Sequence, residues 1–154
     1  MYTALLVIHS WLRWVVVFSG IAALGGAAGG VTARRAWLPV DTLRSRLFTI
    51  SLDVQALIGL ILYGVLSPVT EAGFADMGTA MRDPVLRFYT VEHITGMIVA
   101  MALAHIGSAR ARKATDAVVR HRTVLIFIGL AMAVLLLSIP WPGMSGGRVL
   151  FRGL

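Results

Sequence analysis

Between Arg87 and Arg110 the chain runs through 22 residues that are nearly all apolar. At about 1.5 Å per residue, a helix of that length crosses a hydrocarbon core of about 30 Å, which leaves few alternatives to a membrane-spanning helix. Glu92, His93 and His105 lie inside it. A charge at mid-membrane costs roughly 2.5 kcal/mol or more, so these side chains are expected to face a partner and not lipid. The two histidines stand 12 residues apart, about 18 Å along a helix axis, so they serve opposite leaflets and cannot share one ligand.

The remainder of the chain has the same character. Of 154 residues, 58% are hydrophobic and only 14% charged, against about 25% charged in soluble domains, and the mean hydropathy is +0.83. The expectation is an all-α integral membrane protein, a four-helix transmembrane bundle in one domain over 1–154. Its spans fall at about 4–28, 47–66, 86–109 and 119–139, since each needs roughly 20 residues. The uncharged run Trp14 to Ala33 makes the first span an uncleaved anchor, because polar and bulky residues precede it. Cysteine is absent, which removes disulfides, thiolate catalysis, iron–sulfur clusters and thiolate zinc sites, leaving histidine as the residue for binding a cofactor.

A net charge of +7 would suggest nucleic acid in a soluble protein. Here the arginines sit in short connections between spans, where they set orientation and require no polyanionic partner. The segment TARRAWLPVDTLRSR has four arginines and one aspartate, and SARARKATDAVVRHR has five Lys/Arg and one aspartate. SPVTEAGFADMGTAMRDP is acidic and reads as irregular structure or a short helix lying on the membrane. The two basic connections then belong to the cytoplasm, and both termini to the outer, periplasmic side. Asp83 before Pro84 marks the start of the third helix, and Thr115 or Asp116 caps the fourth. Pro140, Trp141 and Pro142 end the fourth, and a glycine-rich tail with Arg148 and Arg152 follows.

A b-type haem in a helix bundle needs neutral imidazoles at matched depth on different helices, apolar walls and a polar outlet for its propionates. His9 and His93 meet the first condition in the outer half, and Arg13, Arg82 or Arg87 offers the outlet, guanidinium being suited to carboxylates. His9 is 25 residues from Arg34 while His93 is 17 from Arg110, an offset of about 12 Å. The offset vanishes if the embedded part of the first helix ends near Gly26, with the doublet Gly25-Gly26 as a stop or bend.

The many glycines serve close helix packing, or, at Gly96 and Gly64, leave room for a flat macrocycle. In the inner half, His105 and His121 offer a second site about 18 Å below the first. Asp53 either orients that site or simply hydrogen-bonds to His105. His121, between Arg120 and Arg122, otherwise reads as a solvated residue at the mouth of the fourth helix. Glu92 points about 100° away from His93 and is expected to pair with Arg13 or Arg87.

HSWLRW in the first helix, RFYTVEH opening the third, RHR before the fourth and the closing SIPWP together resemble a group of small four-span bacterial membrane proteins labelled cytochrome b-like. The resemblance covers nearly the whole chain. It implies a haem b-binding protein of the bacterial inner membrane with His9 and His93 as first ligands, and His105 and His121 after them. The leading expectation is a cytochrome passing electrons between quinol, or a larger membrane redox complex, and another carrier. The alternatives are a non-catalytic accessory subunit and a porphyrin-processing membrane enzyme, some four-span proteins of that kind also carrying histidine and tryptophan early in the first helix.

Overall fold

The computed structural model describes residues 1–151, so Arg152 lies outside the described residues. The helices are α1 (Tyr2–Thr32), α2 (Pro39–Ile61), α3 (Pro68–Ala75), α4 (Met77–Arg82), α5 (Pro84–Arg87), α6 (His93–Lys113) and α7 (Ala117–Leu137). One π-helical turn, Leu62–Leu66, prolongs α2, and another, Phe88–Glu92, joins α5 to α6. Among the described residues there is no strand. Four continuous segments, Tyr2–Thr32, Pro39–Leu66, Pro84–Lys113 and Ala117–Leu137, are long and apolar enough to cross a membrane. Outward faces carry Phe18, Leu57, Val65, Ile126 and Leu137, side chains that suit acyl chains and not water, so the chain is a multi-pass membrane protein.

Helix ends follow local chemistry. Asp83 accepts from the Val85 and Leu86 amides, both at 2.8 Å, with Pro84 in the first helical position. Asp116, not Thr115, caps α7 through the Val119 amide at 2.8 Å. The acidic connection forms two short helices, α3 and α4, capped by Ser67 and Asp76. α2 begins well ahead of the apolar run, because Pro39 opens it and Asp41 accepts from the Leu38 amide at 3.0 Å. Pro in the first position and Asp in the first turn form a start signal that hydropathy does not register.

α1 packs against α2 and α7, and α6 packs against α7, while the seam between α2 and α6 is the thinnest in the bundle. α1 and α6 therefore face each other across its diagonal. The core is largely small: Ala23, Ala27, Ala100, Ala104 and Ala131 pack around Phe48, Leu52 and Ile128. Such residues let backbones close up where no hydrophobic drive separates protein from lipid. Gly96 belongs to this packing: a Cβ there would meet Ser138, which caps the C-terminal end of α7.

α1 does not stop or bend off at Gly25-Gly26 but continues to Thr32. The arginine layer instead reaches in to that level: Arg35 donates from Nη2 to the Gly26 carbonyl at 3.2 Å, and Arg44 packs against Gly26. α6 likewise runs past Arg110 to Lys113. From His9 to the end of α1 is 23 residues and from His93 to the end of α6 is 20, so the offset shrinks to about 4.5 Å at helical rise.

Candidate functional site

His9 and His93 meet across the diagonal with ring centroids 6.5 Å apart and planes at 73°. His93 is fixed by a bond that the sequence of α7 makes available. Four residues beyond Ser138 stands Pro142, which has no N–H, so the Ser138 carbonyl lacks the partner a continuing helix would give it. His93 Nδ1 lies 2.7 Å from that oxygen. A carbonyl only accepts, so Nδ1 carries the proton and the neutral ring presents the lone pair of Nε2, the form in which histidine binds metal. Glycine at position 96 lets α6 approach α7 closely at this point.

The π turn just before His93 widens the helix and resets the face on which the residues after it emerge. It is tied to the other π turn: Tyr63 Oη donates to the Thr90 carbonyl at 2.8 Å, and Thr70 Oγ1 donates to the Tyr63 carbonyl at 2.7 Å. The two irregular turns thus brace one another beside the histidine pair. His9 is admitted by Gly59 on α2, where a Cβ would sit 3.1 Å from the imidazole Cε1. Gln55 donates to the His9 carbonyl at 3.0 Å, while Gln55 Oε1 and His9 Nδ1 are buried without a hydrogen-bond partner.

Two cavities share the histidines. The larger, about 100 Å³, continues to Arg13, Tyr2, Tyr89 and Arg148, and among the described residues no Asp or Glu lines it. The smaller, about 60 Å³, runs the other way between α2 and α6 along Leu52, Ala56, Leu60, Ile94 and Met101. Gln55, Gly59, Tyr63 and Met97 border both. The result is a slot with two imidazoles in its waist, an apolar end and a cationic end.

The cationic end is assembled by the tail. Gly143 and Gly146 adopt positive φ of 90° and 78°, turns that glycine makes without steric cost. They bring Arg148 onto the Tyr89 ring, with its guanidinium carbon 4.6 Å from the centroid and Nε donating to Tyr89 Oη at 2.7 Å. Burial acts to lower the Arg148 pKa, but the neighbouring Tyr89 and Tyr2 hydroxyls outweigh it and hold the group above its ordinary value. Arg13 is buried on α1 and donates from Nη2 to the Leu150 carbonyl at 2.7 Å, its Nε without a partner. Neither guanidinium is paired with a carboxylate among the described residues.

The other expected site residues lie elsewhere. Arg87 donates from Nε to Glu92 at 2.6 Å, which accounts for both charges without Arg13. Arg82 is exposed on α4. His105 Nε2 lies 2.7 Å from Asp53 Oδ1 on the α2 side. His121 is not solvated at a helix mouth but fully buried, 0% exposed, packed on Gly30 of α1 and 4.8 Å from the Trp37 ring, with both ring nitrogens unpartnered. His105 and His121 thus answer to different helices and are not brought together. Among the described residues no cluster of three or more His, Cys, Asp or Glu could hold an ion.

Arg148, Tyr89 and Ser138 are the members of the site that spacing alone misses. The signal for Arg148 was a cation in a tail whose glycines permit a return onto the bundle. No family model, curated protein or solved structure matches this chain.

Proposed function

We propose that this protein is a haem b-binding membrane cytochrome working in electron transfer, with the iron gripped between His9 and His93. The observation that carries the reading is the 6.5 Å separation of the two imidazole centroids inside a slot open on both sides of the pair. A metal–imidazole bond is about 2.0 Å and the ring nitrogen lies about 1 Å from its centroid, so two imidazoles that both held one metal would have centroids about 6 Å apart.

The donor chemistry fits as well. His93 points Nδ1 at the Ser138 carbonyl, which leaves Nε2 as the nitrogen that would meet a metal. Arg13 and Arg148, with no carboxylate partner among the described residues, would supply the positive charge that two propionates require, and the α2–α6 end would supply apolar walls. A porphyrin is larger than either cavity, so side chains on their common wall must give way. Met97, unbranched and pliant, is the one suited to do so.

When bound, the haem supplies reversible one-electron storage. The chain's own part is to hold both imidazoles neutral, exclude lipid from the slot and balance the anionic edge with guanidinium. The reading has one such site per chain, because His105 is engaged by Asp53 and His121 is packed against Gly30 and Trp37. The excess of Lys/Arg in the connections near Arg34–Arg46 and Arg110–Arg122 orients that end to the cytoplasm of a bacterial inner membrane. The histidine end then faces outward, and the electrons are exchanged with quinol or a larger redox complex. Protein expressed with ample haem and purified in mild detergent should give about one b haem per chain in the pyridine haemochrome assay and a sharpened α band on reduction. A colourless preparation would overturn the reading.

A further inference from the structure

The 2.7 Å contact between Asp53 and His105 crosses from α2 to α6 and so fixes how the two helices face each other along the thin seam between them. Seven residues before Asp53 stands Arg46, and seven after His105 stands Arg112. Seven residues make about two turns, so both arginines lie on the faces that meet at the seam, about 10 Å nearer the basic connections. Arg46 directly precedes the apolar run that begins at Leu47, which sets it at the edge of the hydrocarbon. Both arginines are exposed.

Several other arginines at this end have partners inside the protein. Arg35 and Arg44 face Asp41, Arg110 lies over the Phe127 ring at 5.4 Å, and Arg120 lies over the Trp37 ring at 4.3 Å. Among the described residues neither Arg46 nor Arg112 is paired with a carboxylate. Asp53, on the same α2 face, is engaged by His105, and Asp116, four residues beyond Arg112, caps α7. The surface leading away from the two cations is apolar. Ile50 and Leu57 share the α2 face with Arg46 and are exposed, while Ala102 and Ala109 beside His105 keep the α6 side shallow. The seam is thus a trough with an apolar floor and two unpaired guanidiniums at its headgroup end.

We propose that this end of the α2–α6 seam holds one anionic phospholipid of the adjacent leaflet, its phosphate between Arg46 and Arg112 and an acyl chain along Ile50 and Leu57. Guanidinium suits phosphate oxygens, and a basic cleft between spans at headgroup depth recognises anionic lipid. A second copy of the chain related by a two-fold axis along the seam would set the same arginines against each other, like charge facing like. The site stands apart from the cytochrome reading and from which side of the membrane the arginines occupy.

The test uses full-length protein washed free of lipid in mild detergent, titrated with dioleoylphosphatidylglycerol and separately with dioleoylphosphatidylcholine, and read by native mass spectrometry. The unmodified monomer should retain one phosphatidylglycerol at least about tenfold more tightly than phosphatidylcholine. Arg46→Gln with Arg112→Gln should weaken that binding about 30-fold, at about fivefold for each cation. Arg34→Gln with Arg122→Gln removes the same charge away from the seam and should change it by less than about twofold. Ala109→Trp, which fills the trough and keeps both arginines, should also lower retention. Equal retention of the two lipids, or equal losses in the two arginine pairs, would overturn the site and leave only a general field at the arginine end. Retention unchanged by Ala109→Trp would overturn the trough as the seat of the acyl chain. A lipid held only by dimers would overturn the site in favour of an interface between copies.

Discussion

The two ends of the bundle treat buried charge in opposite ways. At the arginine end, Asp41 is 3% exposed and takes two hydrogen bonds from Arg35, at 2.6 and 2.8 Å, with Arg44 at 3.7 Å and the Leu38 amide completing its shell. Acid and base are both present and the network closes on itself. At the histidine end, Arg13 and Arg148 share a cavity with His9 and His93, and among the described residues no carboxylate joins them. A closed network stabilises the chain that contains it. An open one leaves a buried Arg13 and a half-buried Arg148 with no carboxylate beside them among the described residues, and the desolvation cost would be offset by an arriving anion. The difference is why the histidine end, and not the arginine end, is the proposed binding site.

That contrast can be broken most severely at His93. Replacing it with alanine removes a ligand, and haem affinity should fall beyond the about 100-fold associated with losing an outer partner, as measured by haem titration of the apoprotein; retention of full haem content would remove the slot from consideration. Next in size is the double change Arg13→Gln with Arg148→Gln. Haem binding should weaken about 10–100-fold, while the apoprotein melts at a higher temperature because two uncompensated charges are gone. A loss of both affinity and apoprotein stability would mean that the guanidiniums belong to the fold and not to a ligand.

At the opposite end the signs should reverse. Asp41→Asn should lower stability by roughly 1–3 kcal/mol, between the worth of a surface pair and a buried one, and leave haem affinity within about twofold, by thermal melting and haem titration of the same samples. The smallest effect is expected at His121→Phe. An aromatic ring of similar shape replaces two unpartnered nitrogens beside Trp37, so stability should hold or rise by up to about 1 kcal/mol. A spectral change in this variant would reopen a haem role for His121.

The four apolar helices are legible from hydropathy because a lipid environment allows few other structures. Their true lengths are not, since α2 starts at Pro39 through Asp41, a polar device outside the apolar run. The pairing of His9 with His93 follows from depth and from being on separate helices. What spacing could not supply was the frame shift of a π turn at Phe88–Glu92, set by tertiary contacts such as the Tyr63 to Thr90 bond. Nor could it supply the return of the tail, which sets Arg148 on Tyr89 of the π turn, 59 residues earlier in the chain. His121 was misread because Arg120 and Arg122 beside it suggested solvent. Only Arg122 is exposed; Arg120 lies over the Trp37 ring at 4.3 Å, so the ring between them is drawn into the same packing.

Ferric electron paramagnetic resonance of the haem-loaded protein bears most directly on the central claim that two imidazoles hold one iron. Unmodified protein should give a low-spin signal from bis-imidazole iron, and His9→Ala should convert it to a high-spin signal from a single remaining ligand. A high-spin spectrum from the unmodified protein, or a low-spin spectrum that survives His9→Ala unchanged, would contradict it.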